Sequence, residues 1–443
     1  MNINQMRYIL PLVLTLLFIP VNSNGQDKSG FDKEVVKQTK YVLELCKHLH
    51  QNPELSYQEE ETSVRIAEEL RLIGLDVTPN FGGNSVVGIF KNGEGPVIML
   101  RTDMDALPIK EKTGLSFAST KTMTDFNGNE VPVMHACGHD IHMSVMVGTV
   151  RTLISMTDKW KGTLLIIAQQ SEEMGDGASL AIEEGLFKKF PVPDFALAYH
   201  INPEIESGKI GIIPGPIFAG IKTVKITVFG VGGHGAYPEK CIDPVVIASR
   251  VVLDLQTIVS REISPLKPVV VTVGSIHGGT RPNIIPEEVK LELTLRYYDE
   301  NAIEQTINAI KRICKGAALT AGMSEDKMPE VQVTPGDHPP VINDADLYEK
   351  IREYSGNVLG AENMIRVDPA MVGEDFGLYG RTPEKVPICL IWLGSTNPEV
   401  MKDYLAKGEK PPPLHSSHLN PDYPATIETG IKAMVANVIG LSQ

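Results

Sequence analysis

Apolar residues recur along this chain at two spacings, and each spacing predicts a different kind of element. Where they return every three to four residues, one face of a helix is apolar; where they alternate or form short runs, a strand is predicted. The helical pattern covers Phe31–His50, Glu60–Leu72, Asp140–Ile154 (with Asp140 as N-cap), Ala178–Glu184, Pro244–Ser260, Asn301–Leu319 and Thr426–Leu441. The strand pattern covers Val86–Phe90, Pro96–Leu100, Thr163–Ala168, Phe195–Tyr199, Lys222–Phe229, Val269–Val273, Lys290–Tyr297 and Pro387–Gly394. Strands and helices alternate in the first half, which predicts an α/β sheet covered by helices on both faces.

The pattern changes after a stretch rich in Pro and Gly at 208–220. Strand, helix, strand, strand and helix then follow one another, which is typical of a small α+β unit. The α/β pattern resumes at about Val331 and continues to the end. We therefore expect a discontinuous main domain, 26–218 and 331–443, interrupted by a smaller domain at 219–330. A chain of 443 residues is long enough for this division.

The first 25 residues have the layout of a signal peptide. Arg7 is the only charge before Asp27, Tyr8 to Val21 is apolar, and Ser23-Asn24-Gly25 offers small residues for cleavage. The apolar stretch is shorter than the ~20 residues that a membrane-spanning helix needs, although an uncleaved anchor is the alternative. We therefore expect an exported protein, periplasmic or extracellular, without a membrane partner beyond this segment.

Charge and cysteine content argue against a nucleic-acid-binding protein and against a fold held together by disulfide bonds. The net charge is −14 and no basic stripe is visible, which argues against a nucleic-acid partner. Five cysteines without repeated spacing give no disulfide framework, so at least one thiol should be free, and Cys137 is the candidate.

The strongest local motif is Met134-His135-Ala136-Cys137-Gly138-His139-Asp140. Cys137 and His139 stand two residues apart on a loop that opens a predicted helix, and Gly138 lets the backbone bend between them. A thiolate and an imidazole so placed can face one metal ion. Taken alone, the motif fits equally well a buried cysteine beside a histidine that caps the helix.

Two more groups follow predicted apolar strands, where open α/β sheets place their sites. Glu172 and Glu173 come after one strand, and His200 ends another; His415 lies near the C-terminus. Adjacent acids can divide the work, one binding metal and the other acting as general base. Each group alone also has a plain alternative, solvated loop acids or structural histidines, but together they favour a metal site.

These motifs resemble, in order and over nearly all of the chain after residue 25, the N-acyl-amino-acid amidohydrolase family of metallopeptidases, which includes hippurate, indole-acetyl-amino-acid and aminobenzoyl-glutamate hydrolases. The remaining shared motifs are His50-x-x-Pro53-Glu54-Leu55-Ser56, Asp103-Met104-Asp105-Ala106-Leu107-Pro108, Gly232-Gly233-His234, Asn283-Ile284-Ile285-Pro286 and Gly373-Glu374-Asp375-Phe376.

The resemblance implies a ligand set, residue roles and a fold. Residues that look like ligands of two divalent metal ions (Mn, Zn, Co or Ni) are Cys137, His139, Glu173, His200 and His415. Glu172 looks like the general base that activates a metal-bound water, and Asp105 like the carboxylate that orients His139. The implied fold is a zinc-peptidase-like catalytic domain with a mixed sheet, plus an inserted ferredoxin-like dimerisation domain. That domain would form a homodimer or higher homo-oligomer and bring His234, with Asn283, toward the substrate in the partner's site. The implied substrate is a small N-acyl-amino acid or a short peptide.

The chain also departs from the family pattern. Gln170-Ser171 precedes the paired acids where Pro-Ala is usual, and Gly235-Ala236-Tyr237 follows His234 where Ala and a second His are more usual. These changes affect the expected substrate, not the ligand set. His418 is an alternative to His415 as the last ligand.

Three other functions stay open at this point. A di- or tripeptide carboxypeptidase would use the same site. A thiol hydrolase would use Cys137 as nucleophile. A non-catalytic binding protein would keep the fold without the chemistry.

Overall fold

The computed structural model describes residues 25–334 and 338–443. The predicted signal segment up to residue 24 lies outside the described residues. The strands are β1 Asp76–Thr78, β2 Val86–Asn92, β3 Val97–Asp103, β4 Thr122–Thr124, β5 Glu130–Pro132, β6 Gly162–Gln169, β7 Phe195–Glu206, β8 Ile210–Ile212, β9 Gly215–Phe218, β10 Gly220–Phe229, β11 Gly233–His234, β12 Val269–Gly278, β13 Ile284–Ile285, β14 Glu288–Tyr297, β15 Glu330–Val333, β16 Val341–Asn343, β17 Met364–Arg366 and β18 Ile388–Thr396. The helices are α1 Gly25–Gln51, α2 Glu60–Leu72, α3 His139–Ser155, α4 Gly177–Glu183, α5 Leu186–Lys189, α6 Pro244–Thr257, α7 Glu300–Thr320, α8 Ala345–Leu359, α9 Pro398–Lys407 and α10 Tyr423–Leu441.

The largest sheet in the described part of the chain has eight strands, in the order β1-β2-β6-β3-β7-β18-β8-β17. Its centre is parallel, because β3 pairs in parallel with both β6 and β7, and β7 with β18. The strands β1, β2 and β8 add antiparallel pairs. The molecule is therefore a mixed α/β protein with a large mixed sheet, as the alternation of elements predicted.

Apolar cores fill both faces of this sheet. One core joins α1, α3 and α10 to the sheet, and a second lies on the opposite face around α4, α5 and the 3-10 helix Asp375–Arg381. The run Leu164–Ala168 is wholly buried because successive side chains enter opposite cores. A central strand covered on both sides has no polar face, which explains why its sequence is continuously apolar.

A second, antiparallel sheet is formed by β12-β14-β10-β15, in that order. Alternate residues of β10, such as Val224, Ile226 and Val228, are buried in a core shared with α6 and α7. The intervening Lys225 is exposed, so this sheet has one covered face.

Two of the differences between the fold and the sequence-based prediction concern strands. The prediction missed β15, whose four residues extend the small sheet beyond residue 330. Strand β7 continues past Tyr199 to Glu206, because β18 pairs with it beyond that point.

Candidate active site

Three parallel strands bring polar side chains to one edge of the large sheet. Strand β3 ends at Asp103, β6 ends at Gln169 just before the paired acids, and β7 carries His200. His200 lies opposite Trp392 of β18, inside the paired region rather than at the strand end. Because the carboxyl ends of parallel strands meet at one edge, residues far apart in sequence are brought together there.

The loop that carries Cys137 and His139 is shaped by the glycine between them. Gly138 has a left-handed backbone (φ 83°) and stands as the N-cap of α3. A Cβ added there would lie 2.3 Å from Cδ1 of Ile201. Both the backbone conformation and the close contact therefore require glycine.

Asp140 was predicted as the N-cap of α3, and this is wrong. The helix begins at His139, so Asp140 lies in its first turn. Its buried carboxylate instead contacts Nδ1 of His50 at 2.9 Å. Because Gly138 occupies the N-cap position, Asp140 stands two residues too late to be the cap.

The structure brings the five expected ligands to one place. Sγ of Cys137 is 3.3 Å from Nε2 of His200. Nε2 of His139 is 3.9 Å from Oε1 of Glu173, and Nε2 of His415 is 3.4 Å from the same oxygen. The donor atoms form triads, each within 4.8 Å, that share members: Cys137, His139, His200; Cys137, Glu173, His415; and His139, Glu172, Glu173.

Asp105 connects the histidine to the paired acids. Nδ1 of His139 is 2.8 Å from the backbone oxygen of Asp105 and 3.3 Å from its Oδ1. The carboxylate of Asp105 also accepts hydrogen bonds from the backbone N–H groups of Glu172 and Glu173, at 3.2 and 3.0 Å. One buried carboxylate thus fixes both the orientation of His139 and the position of the turn that carries the two glutamates.

A second buried network lies beside these residues. The side chain of Arg101, fully buried, contacts Oδ2 of Asp103 at 2.7 Å, and Oε1 of Glu374 and Oδ1 of Asp375, both at 2.9 Å. Nδ1 of His142 is 2.7 Å from the other oxygen of Asp103. The sequence-based prediction missed this network, although a charged residue inside the apolar strand Val97–Asp103 was a signal for it.

The electrostatic environment acts on the thiol and on the first of the paired acids. Burial, together with the charges of Glu173 and Glu172, raises the pKa of the Cys137 thiol well above its ordinary value. Burial and the charge of Glu374 raise the pKa of Glu172, and the charge of Arg101 opposes this. Crowded carboxylates beside a buried thiol are the surroundings that a bound cation stabilises.

The donor set fits a metal site. Nε2 of His139 is buried and has no hydrogen-bond partner among residues 25–334 and 338–443. Its other ring nitrogen is held by Asp105, so the free nitrogen points toward the carboxylates of the paired acids. Imidazole, thiolate and carboxylate donors of this kind suit zinc and its first-row neighbours.

The two C-terminal histidines lie in different surroundings. His415 lines the same cavity as Cys137 and Glu173, and its backbone N–H donates to the oxygen of Ala136 at 2.8 Å. His418 lies in a separate surface cleft, and its ring contacts the Ser417 hydroxyl. Of the two, the geometry brings only His415 to the expected ligands.

His234 and Asn283 are not brought to this cavity within one chain. His234 lies on the short strand β11, and Asn283 immediately precedes β13, which pairs with β11. The N–H of Gly235 donates to the backbone oxygen of Asn283 at 2.9 Å. Both are exposed. Within the described residues, neither lines the cavity that holds the expected ligands.

The cavity has walls that the sequence-based prediction did not include. Its volume is about 420 Å³, and its walls beyond the expected ligands are formed by Ile221, Arg296, His338, Met371, Val372, Gly373 and Leu414. Arg296 and Ile221 come from the small sheet, far along the chain from the paired acids. Of these residues, the motifs had indicated only Gly373, in Gly373-Glu374-Asp375-Phe376, and Leu414, next to His415.

Comparisons with known proteins give consistent similarities. The model of the peptidase family M20/M25/M40 matches residues 99–411. The chain is 34% identical over 405 residues to N-acetyldiaminopimelate deacetylase of Lactobacillus acidophilus, covering 90% of this chain and 97% of that protein. It is 35% identical over 369 residues to N-acetyl-L-cysteine deacetylase of Bacillus subtilis, covering 82% of each. The crystal structure of the YXEP protein of Bacillus subtilis, a dinuclear metal binding peptidase from the M20 family, matches with a TM-score of 0.74 at 27% identity, over 92% of this chain and 99% of that one.

The relatives correct the predicted localisation. We expected an exported, periplasmic or extracellular protein, whereas relatives such as the two deacetylases named above are cytoplasmic enzymes. The composition of the first 25 residues alone was therefore an insufficient basis for that prediction. None of the described helices is long and apolar enough to span a membrane.

Proposed function

Since the chain belongs to the peptidase family M20/M25/M40, we propose that it is a metal-dependent amidohydrolase that cleaves the amide bond of N-acyl-amino acids. The relatives confirm the resemblance inferred from the motifs, and the chain is a hydrolase. The observation that carries the proposal is the convergence of the five donor side chains. Cys137, Glu173, His200 and His415 line one cavity together with Glu172, and Nε2 of His139 is 3.9 Å from Oε1 of Glu173.

The proposed ligands are divided by the geometry into two overlapping sets. Cys137 belongs both to the triad with His139 and His200 and to the triad with Glu173 and His415. Two divalent ions, of Mn, Zn, Co or Ni, are therefore proposed at neighbouring positions. When bound, they would lower the pKa of a water molecule and polarise the amide carbonyl.

Glu172 is proposed as the general base. It is buried at the cavity wall, and its raised pKa gives its carboxylate more affinity for a proton than an exposed glutamate has. Glu172 takes a proton from the attacking water as the C–O bond forms. It then delivers this proton to the amide nitrogen as the C–N bond breaks, so that the products are a carboxylic acid and a free amine.

The cavity walls are suited to a substrate with one anionic and one apolar end. Arg296 offers a cation to a carboxylate of the substrate, and Met371, Val372 and Leu414 offer apolar surface. A free carboxylate on the amino-acid part and an apolar acyl part match these two kinds of wall.

The smaller sheet is proposed as an inserted ferredoxin-like dimerisation domain. The catalytic domain would then be formed by 26–218 and by the residues after β15, rather than from 331 as expected, because β15 belongs to the smaller sheet. The strand order β12-β14-β10-β15, with α6 and α7 packed on one face, supports a ferredoxin-like fold for this domain. The exposed His234 and Asn283 support its role in dimerisation, because residues that face solvent in one chain are free to complete the site of a partner. The measurement is the mass of the enzyme in solution, and a monomer that is fully active would contradict it.

A thiol hydrolase is the one rival with an observation in its favour, the 3.3 Å contact between Cys137 and His200. Burial, together with the nearby carboxylates, raises the pKa of the Cys137 thiol, which disfavours a thiolate nucleophile in the absence of metal. The test is to remove metal with a chelator, measure hydrolysis of hippurate, N-acetyl-amino acids and dipeptides, and add back each of the four metals. Activity that survives complete metal removal would overturn the metal-dependent proposal.

A further inference from the structure

The segment from His50 to Glu59 contains a motif that the proposed chemistry does not use. None of its residues is among the proposed ligands, yet it is docked against the strand end that carries Asp105. Leu55 forms a parallel bridge with Ala106, and the N–H of Ala106 donates to the oxygen of Glu54 at 2.7 Å. The segment therefore reaches the site through Asp105 and its neighbours.

Ser56 makes the first contact. Its hydroxyl donates to Oδ2 of Asp105 at 2.7 Å, and both residues are buried. The same oxygen accepts the N–H of Glu173. Ser56 thus restrains the carboxylate that in turn holds His139 and the turn of the paired acids.

Glu59 makes the second contact, on the other side of that turn. Its Oε1 accepts the N–H of Ser171 at 2.8 Å, and the N–H of Tyr57 donates to the Ser171 hydroxyl at 3.0 Å. Ser171 immediately precedes Glu172. Both Ser171 (φ 53°) and Tyr57 (φ 65°) have a left-handed backbone conformation. Residues other than glycine rarely adopt this conformation unless their surroundings stabilise it.

The wholly buried Glu59 has no role in capping the helix that follows it. It stands at the N-cap position of α2, but its side chain makes no capping hydrogen bond. Glu54 does this instead, because its carboxylate accepts the N–H groups of Thr62 at 2.7 Å and Glu61 at 3.3 Å. The carboxylate of Glu59 is directed to Ser171, which a helix cap would not require.

We propose that Ser56 and Glu59 are positioning residues: they fix the turn that carries Glu172 and Glu173 and thereby set both the metal affinity and the turnover number. This rests on the proposed function, because it assumes that Glu173 binds metal and that Glu172 is the base. Groups hydrogen-bonded directly to metal ligands are worth roughly 10–100-fold in affinity or activity when removed, and we use this as the scale for Ser56 and Glu59.

The test compares matched variants of the full-length enzyme. Ser56→Ala removes one hydrogen bond to Asp105, and Glu59→Ala removes the acceptor of the Ser171 N–H. Glu59→Gln keeps one acceptor oxygen and serves as the conservative rescue. Glu54→Ala is the control for stability, because it removes a buried carboxylate of the same segment that contacts the start of α2 and Lys121.

Four quantities are measured for each variant: the dissociation constant for Mn²⁺ against a competing chelator, kcat and KM at saturating Mn²⁺, and the urea midpoint. We expect Ser56→Ala and Glu59→Ala to weaken Mn²⁺ binding and lower kcat by about 10–100-fold, with KM nearly unchanged. Glu59→Gln should recover most of the loss. Glu54→Ala should lower the urea midpoint without changing Mn²⁺ affinity or kcat.

The proposal is overturned if Ser56→Ala and Glu59→Ala lose only stability, as Glu54→Ala does. If Glu59→Ala does not accumulate as folded protein, Ser56→Ala decides the outcome, since it removes a single oxygen atom. Failure of the proposed function is a separate result: the unaltered protein would then bind no Mn²⁺ or hydrolyse none of the amides.

Discussion

His50 is held between two buried carboxylates, and we expect it to make the stability of the fold depend on pH. Its Nδ1 is 2.9 Å from Asp140 and its Nε2 is 3.2 Å from Glu111. Burial alone would lower the pKa of His50, but the hydrogen bonds and charges of Asp140 and Glu111 raise it from 6.5 to about 9. The protonated imidazole is therefore stabilised in the folded protein.

The sign of the effect follows from proton counting. Between 6.5 and about 9 the folded protein holds a proton on His50 that the unfolded chain has lost, so stability falls as the pH rises. The contribution is nearly complete below 6.5 and is lost above about 9. At about 1.4 kcal/mol per pH unit, this interval corresponds to about 3 kcal/mol.

The perturbation is His50→Gln, which keeps a polar side chain but removes the titrating proton. The assay is urea unfolding, followed by tryptophan fluorescence from about pH 6 to about pH 9.5 at equal metal loading. The stability difference between the unaltered protein and the variant should shrink by about 3 kcal/mol across this range. His48→Gln, an exposed position on the same helix, is the control and should keep the slope of the unaltered protein. If His50→Gln loses stability with pH as steeply as the unaltered protein, the reasoning is refuted.

Four further outcomes are expected. Glu172→Gln should keep its bound metal, measured by elemental analysis, while kcat falls by about 10²–10⁴-fold; turnover close to normal would remove Glu172 from the role of base. His415→Ala should lower metal content whereas His418→Ala should not, and equal losses in both variants would contradict the assignment of the last ligand. Arg101→Met leaves buried carboxylates without their cation and should destabilise the fold by about 3–5 kcal/mol in urea unfolding, so a loss below about 1 kcal/mol would count against the network. When the inactive Glu172→Gln and His234→Ala proteins are mixed and exchange subunits, each hybrid dimer should contain one complete site and hydrolysis should recover. No recovery would contradict the contribution of His234 to the partner's site.

The parts of the fold that could be predicted are those whose signals are local. Helix α2 was predicted with its observed limits, Glu60–Leu72, because its apolar periodicity ends just before Gly74, whose φ of 91° stops a helix. The central strands were predicted because a run buried on both faces is continuously apolar. The four residues of β15 carry too short a pattern to be seen without their partner β10.

The parts of the site that could not be predicted depend on partners distant in the chain. The carboxylate of Asp140 contacts His50, 90 residues away, and α3 already begins at His139, so a local rule for helix caps failed there. Arg296 and His338 enter the cavity only because the small sheet and the segment after it fold against the large sheet. The paired acids, in contrast, were placed at the edge of the sheet by the apolar strand that precedes them.

The glycine between Cys137 and His139 limits how this site can be redesigned. Its left-handed backbone and the side chain of Ile201 each exclude a larger residue, so relief of one constraint leaves the other in force. An engineer seeking a different metal preference can exchange donors on either side of it while the spacing between them stays constant. A variant library over this loop should therefore keep Gly138 unchanged and vary only the flanking positions.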